Sequence, residues 1–361
     1  MIPVERLQKS EERLNLHRLF WNFEAFEHIP ASFRLGNYFF ADKFKAALPL
    51  LKPGLKIEPE MLKVDEFLED YERLFQEIET IGQDGFWTAE PFTGIPWMEA
   101  IMGCAVFAGE NSFITEPAEM LPGSDLIKKI EANPWYVKYM EFVEKLVQLS
   151  DGRFPIGQPI LRGISDVLGA IMGQTEMIYG MCDEPEPIEG LASLITKVFL
   201  KIIEEQQKLI PEFYGGYSMG FYHLWTPGQC IWFQEDLSAI LSPELYRDFI
   251  LEHNRDICSR YDYSAVHLHS SSFHILDDIL SIQDLKAVEI NKDVGGPGIQ
   301  ELLSIFQKVL DHEKRLVIWG NLDENEIMLI KNNFSGNPVF INIVAKDIQT
   351  AKRLMSHIKL N

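Results

Sequence analysis

The tripeptide His267-Leu268-His269 sets two imidazoles two residues apart in an apolar run, Ala265 to Ser271, that reads as a β-strand. Residues two apart on a strand share a face, so His267, His269 and Ser271 point one way while Val266 and Leu268 point the other. Two imidazole nitrogens on one face can converge on an ion at about 2.0–2.1 Å, and a catalytic zinc takes three protein ligands with one position left open. Glu289, in the next apolar run, is the best-placed third ligand. The alternative for the two histidines is a hydrogen-bonded binding or structural role, and His274 reads as an outer or structural neighbour.

Other polar residues fall near the ends of neighbouring runs. His223 and Trp225 pair in one, Glu289, Asn291 and Asp293 in another, Trp319 and Asn321 in a third, and Asn342 lies in the last. Asp166, Trp225, Ser271, Asp293, Trp319 and Asn321 are the candidates to line a substrate pocket, with His223 beside the histidine pair as a catalytic candidate. The run Gln234-Glu235-Asp236 is either a source of a general acid or base or the polar start of a helix, and the second reading is preferred. Cys230 and Cys258 lack a context that would lower a thiol pKa. No HExxH, GxSxG, phosphate-loop or dinucleotide-loop pattern occurs, so Gly215-Gly216 and Gly295-Gly296-Pro297-Gly298 read as turns.

Eight candidate strands position these groups: Ser32 to Tyr38, Gly85 to Ala89, Arg153 to Gly157, Tyr217 to Trp225, Ala265 to Ser271, Ala287 to Lys292, Arg315 to Asn321 and Pro338 to Val344. Helical patterns separate them over Glu60 to Ile81, Asn133 to Leu149, Pro187 to Leu209, Pro243 to Arg260 and Pro297 to Leu310, with Asp347 to Ile358 closing the chain. Ser242-Pro243-Glu244 combines a capping hydroxyl, a first-turn proline and a first-turn acid, the composition of a helix start. Eight strands alternating with helices predict an α/β fold, a (β/α)8 TIM barrel whose working face lies at the strand C-termini. Residues 1–30 form an N-terminal helical extension, and no linker or repeat divides the 361 residues, so one domain is expected.

The 33 Lys+Arg against 54 Asp+Glu give a net charge of -21, which repels nucleic acid and anionic membrane surfaces. A small-molecule substrate remains. Four scattered cysteines form no CxxC pair, Met1 to Phe20 lacks the apolar core of a signal peptide, and no apolar stretch reaches the ~18 residues of a membrane span, so a cytoplasmic protein is expected.

Taken in order, Gly163-Ile164-Ser165-Asp166-Val167-Leu168, Met172-Gly173-Gln174-Thr175-Glu176, Asp183-Glu184-Pro185-Glu186, the run Asp236 to Glu244 and His267-Leu268-His269-Ser270-Ser271 resemble the uroporphyrinogen-decarboxylase superfamily. The resemblance spans roughly residues 85–361 and implies a TIM barrel with one of two chemistries, tetrapyrrole decarboxylation or zinc-dependent methyl transfer from a corrinoid protein to a thiol. The decarboxylases' Arg-rich loop is replaced by Phe33-Arg34-Leu35-Gly36-Asn37-Tyr38, and their aspartate signature by Trp97 to Gly103. The chain is more similar to the methyltransferases, whose pattern is H-x-C on one strand, a glutamate on the next and a distal cysteine. His267 matches the first ligand and Glu289 the acidic one, His269 replaces the first cysteine, and no cysteine follows Cys258. The resemblance therefore implies Zn²⁺ on His267, His269 and Glu289, a corrinoid carried by a partner protein, and a homodimer as a further option. The alternatives are a decarboxylase or lyase that uses Arg34, Arg162 and the histidines without metal, and a barrel that binds a small molecule without catalysis.

Overall fold

The computed structural model describes residues 4–26, 28–36 and 41–360. Among them are eleven strands: β1 (Ala31–Leu35), β2 (Lys56–Ile57), β3 (Ala105–Ala108), β4 (Phe113–Glu116), β5 (Tyr217–Met219), β6 (Leu224–Thr226), β7 (Cys230–Gln234), β8 (Tyr263–Leu268), β9 (Ala287–Asn291), β10 (Arg315–Gly320) and β11 (Val339–Ala345). Six form one curled parallel sheet in the order β1-β11-β10-β9-β8-β7, while β2-β3-β4 and β5-β6 make small antiparallel sheets. Every residue of β7, β9 and β11 is buried. That is the mark of parallel strands covered on one side by helices and on the other by a filled interior. The register sets Gln234 beside His267, His267 beside Glu289, and Ser32 beside Asn342.

The expected closed eight-stranded barrel is corrected to this six-stranded half-barrel. The second and third expected strands are extended segments, joined to each other through an isolated parallel bridge at Ala89 and Ile156. Two glutamine side chains take over where main-chain rungs are missing. Gln83 Oε1 accepts from Phe33 N at 2.8 Å on β1, and Gln158 Oε1 accepts from Trp232 N at 3.2 Å while its Nε2 donates to Trp232 O at 2.6 Å on β7. Pro155 and Pro159 lack the N–H that a ladder requires, which accounts for the interruption of the third segment. Asn37 and Tyr38, expected to extend β1, lie outside the described residues.

The fourth expected strand is also corrected. Tyr217 to Trp225 is not one strand but the hairpin β5-β6, turned by a short 3-10 segment at Gly220–Tyr222 and by His223 at φ 56°. The sheet strand is β7, five residues further on. The hairpin tip enters the curl of the sheet: Tyr222 O accepts from Ser32 Oγ at 3.1 Å and Asn342 Nδ2 at 2.9 Å, and Phe221 O accepts from Arg34 Nε at 2.8 Å. The sheet faces it with the small side chains Ala265, Ala287 and Val317, which leave room for Phe221 and Tyr222 in the same apolar cluster.

The expected helices form, with shifted ends. The span Pro243 to Arg260 is two helices, Pro243–Phe249 and Leu251–Ser259, and Ser242 Oγ caps the first by accepting from Leu245 N at 3.3 Å. Helix α1 (Val4–Asn22) closes the underside, where Trp21 Nε1 donates to Trp225 O at 2.7 Å. No described helix is long and apolar enough to cross a membrane.

His17 of α1 is the rivet of this floor. Its Nε2 lies 3.2 Å from Asp84 O and its Nδ1 accepts from Trp225 N at 3.1 Å, so the bonded ring is the neutral one. Burial, helped by the Arg13 charge, pushes its pKa down to about 4. The unfolded ring takes up a proton near its ordinary value of about 6.5 while the native ring does not, so its stability contribution is intact above that pH and drains as pH falls towards about 4. Linkage sets this loss at about 2 kcal/mol by about pH 5. In urea unfolding at about pH 7 and about pH 5, His17→Gln should be less stable than the parent at the higher pH but lose about 2 kcal/mol less on acidification. Equal losses in both proteins would show that His17 does not carry the effect.

Candidate metal centre at the strand ends

His267 lies in β8 with its Nδ1 bonded to Glu289 Oε2 across the β8–β9 register. Glu289 is fully buried, and its Oε2 also accepts from Tyr222 OH at 3.4 Å. His269 follows the strand, with Nδ1 bonded to Asp293 Oδ1. Asp293 is held in turn by Ser270, which donates through N at 3.0 Å and Oγ at 2.6 Å, and by Asn291 Nδ2 at 2.7 Å. With both Nδ1 atoms engaged outward, the two Nε2 atoms face each other at 3.0 Å. Asp236 completes the cluster: its Oδ1 lies 3.9 Å from His267 Nε2 and 3.8 Å from His269 Nε2, is buried, and has no hydrogen-bond partner among the described residues.

A carboxylate on Nδ1 keeps the proton on that nitrogen and leaves Nε2 with a bare lone pair. Two such lone pairs at 3.0 Å repel unless a cation lies between them. In the metal-free protein that cation is a proton. Although burial opposes it, the Glu289 carboxylate raises the His267 pKa to about 9, so one ring is an imidazolium that donates to the other. A metal ion answers the same demand. Two ligands each about 2.0–2.1 Å from tetrahedral zinc are about 3.3 Å apart. The three candidate ligand atoms all lie within 4.8 Å of one another, and the free Asp236 Oδ1 is the third corner.

Glu289, the expected third ligand, lies elsewhere in the cluster. Glu289 does not face the Nε2 pair; the strand register puts it behind His267, on the Nδ1 side. A carboxylate there orients a ligating histidine and raises its basicity. Asp293 does the same for His269, and although burial opposes it, bonds from His269 and Ser270 hold its pKa down to about 2.

Asp236 opens a 3-10 turn, Asp236–Ile240, directly after β7, so its reading as the polar start of a helix holds in kind while its carboxylate also serves the cluster. Asp166 sits behind that turn rather than lining a pocket: its Oδ1 accepts from Leu237 N at 2.7 Å and its Oδ2 from Asp236 N at 3.2 Å. Glu235 caps the helix that carries Asp166, Ile164–Met172, by accepting from Ile164 N at 3.0 Å and Ser165 N at 2.8 Å. The two segments approach so closely at Gly163 that a Cβ there would lie 1.9 Å from Gln234 O. Only glycine fits.

Of the remaining candidates, Trp319 lies within reach of the cluster, its ring centroid 6.3 Å from that of His267. Ser271 is exposed beyond the end of β8, because the strand stops at Leu268 and the alternation stops with it; Ser270 makes the contact instead. Asn321 is exposed on the rim, its carbonyl accepting from Lys292 Nζ at 2.8 Å. Trp225 is buried near the floor, donating to Phe213 O at 2.7 Å, and His223 belongs to the hairpin turn, so neither joins the histidine pair. Burial, reinforced by the Arg34 charge, holds the His223 pKa well below its ordinary value and keeps the ring neutral. His274 Nε2 bonds to Leu241 O at 2.9 Å, a structural role. Burial pushes the Cys230 and Cys258 thiols up to about 12, which disqualifies both as nucleophiles.

No protein-family model and no curated protein matches the chain. Among solved structures, a methyltransferase from Methanosarcina mazei is similar over 96% of this chain and 97% of that one, with a TM-score of 0.62 at 12% identity. At that identity the likeness is one of fold.

Proposed function

We propose that the chain is a methyltransferase-like enzyme of the uroporphyrinogen-decarboxylase superfamily, nearer its corrinoid-dependent methyltransferases, that binds Zn²⁺ through His267, His269 and Asp236. The observation that carries this reading is the pair of Nε2 atoms at 3.0 Å, each backed by a carboxylate, beside a buried carboxylate oxygen with no other partner. The fold shared with a methyltransferase supports the class of reaction. A corrinoid on a partner protein would supply the methyl group.

Zinc held by His267, His269 and Asp236 would supply Lewis acidity, which would lower the pKa of an acceptor bound to it. The chain's own residues prepare the place. Glu289 and Asp293 hold the protons on the two Nδ1 atoms and aim the Nε2 lone pairs, Asp166 fixes the Asp236 turn through two backbone N–H groups, and the Trp319 ring stands edge-on 6.3 Å from that of His267. Two imidazoles and a carboxylate are a harder donor set than thiolates. The acceptor is therefore not restricted to a thiol.

The metal-free lyase reading is weaker, because its two arginines are already matched. Arg34 Nη2 lies 3.2 Å from Glu90 Oε1 and Arg162 Nη1 lies 3.1 Å from the fully buried Glu99, so a substrate carboxylate would have to displace a protein one. Incubation with uroporphyrinogen should therefore yield no decarboxylated product, and turnover would overturn the assignment.

Metal analysis tests the centre directly. Protein purified without chelators should carry or take up about one equivalent of zinc, and His267→Ala, His269→Ala and Asp236→Asn should abolish uptake. Glu289→Gln separates the two roles of carboxylate: it should weaken zinc affinity by about 10- to 100-fold while leaving the stoichiometry at saturation unchanged. No uptake by the parent protein would end the proposal, and full loss in Glu289→Gln with normal uptake in Asp236→Asn would return Glu289 to the ligand set.

A further inference from the structure

The join that brings Asp236 to the histidines crowds acids together. Asp166, on the helix Ile164–Met172, accepts from Leu237 N at 2.7 Å and Asp236 N at 3.2 Å, while Glu235 accepts from Ile164 N at 3.0 Å and Ser165 N at 2.8 Å. Gly163 sits in the same join, so close that a Cβ on it would lie 1.9 Å from Gln234 O. Among the described residues none of these three carboxylates forms an ion pair with Lys or Arg, and Asp236 meets only His267 and His269. The residue before Gly163 is Arg162.

Arg162 brings a positive charge to this join and is held there by a buried acid. Its Nη1 lies 3.1 Å from Glu99 Oε1, Glu99 is fully buried, and neither Glu99 oxygen has a hydrogen-bond partner among the described residues, so the guanidinium is the charge that compensates it. The Arg162 side chain is itself 45% exposed, so it can stand without a partner where Glu99 cannot. Its field reaches beyond Glu99: that carboxylate most, then Asp166 and Asp236, raise the Arg162 pKa. Glu99 thus masks part of a charge that Asp236 still feels.

Metal binding makes that charge matter. The two Nε2 atoms share one proton in the metal-free protein, so a zinc ion entering between them and Asp236 raises the local charge by one. A fixed positive charge close by opposes the increase through Coulomb repulsion. It also leaves the bound ion less fully neutralised, so that the ion draws more electron density from an acceptor it holds. We propose that Arg162 tunes the metal centre, its charge lowering the affinity for zinc and raising the Lewis acidity of the bound ion, with Glu99 setting how much of that charge is felt. This role rests on the zinc reading of His267, His269 and Asp236, and Arg162 acts through the metal rather than as a ligand to it.

Zinc titration of the full chain and its variants tests it, with Kd read by competition against a chromophoric chelator. Glu99→Gln, which keeps the buried shape and unmasks the Arg162 charge, should bind zinc about threefold or more weakly than the parent. Adding Arg162→Gln to Glu99→Gln removes that charge without stranding a buried carboxylate, and should tighten zinc by about threefold or more relative to Glu99→Gln. Adding Arg162→Lys instead keeps the charge and should stay within about twofold of Glu99→Gln. A merely structural Arg162 would loosen zinc in both double variants. Unchanged affinity in Glu99→Gln, equal or weaker affinity on adding Arg162→Gln, or Arg162→Lys tightening zinc as much as Arg162→Gln would each overturn the proposal while leaving the metal site in place. No zinc uptake by the parent would end the metal reading and this role with it. Should Glu99→Gln fail to fold, Arg162→Gln against Arg162→Lys in the parent background decides by the same comparison, tighter zinc in the first being the expected result.

Discussion

Two imidazoles that both give their Nδ1 protons to carboxylates cannot face each other across 3.0 Å without a positive charge between them. The architecture around the strand ends follows from that constraint. The β8–β9 register sets Glu289 behind His267, Ser270 and Asn291 fix Asp293 behind His269, and Gly163 allows the close approach that brings Asp236 to the third corner. The Glu289 contact is a buried polar one, of the kind that is costly to leave half made, while the Asp293 contacts are partly buried and the Gly163 approach is steric. The cluster is thus preorganised for a cation by the protein's own hydrogen bonds.

The interior of the curl is filled by an inserted hairpin rather than by layered strand side chains. Phe221 and Tyr222 occupy the space that Ala265, Ala287 and Val317 leave, and their carbonyls are satisfied by Arg34, Ser32 and Asn342. Tyr222 then reaches Glu289, so the plug and the histidine cluster share a hydrogen bond. Filling the middle this way relaxes the need for eight continuous ladders. Gln83 and Gln158 bridge the gaps with side-chain amides.

Much of this was legible in the sequence. Five of the eight expected strands coincide with strands of the parallel sheet, because their apolar runs were bounded by turns and spaced by helices. The histidine pair was legible for the same reason, since period-two alternation survives as far as His267 and the next residue on that face is His269. Ser271 was lost one step later, where a 3-10 turn replaces the strand. Asp236 was read as the polar start of a helix, which the turn Asp236–Ile240 bears out in kind, but its place beside the histidines was not legible because Tyr217 to Trp225 and Cys230 to Phe233 are equally apolar and aromatic. Nothing local marks which of the two runs is the plug and which the rung, so the end of the true strand, and the carboxylate just beyond it, fell out of place. The role of Glu289 depended on which face of a ring it meets, a property of register rather than of residue type.

The pairing of β1 with β11 carries a consequence for how the chain comes together. Ser32 and Asn342 are neighbours in the sheet yet 310 positions apart in the chain. Contacts of that separation are made late, since a long loop must close before they give any return. During synthesis β7, β8, β9 and β10 can assemble in order behind the ribosome, but β1, the first of the described strands made, waits for β11, the last. Until then its edge stays open to solvent, and a chain truncated before residue 339 would leave it so for good.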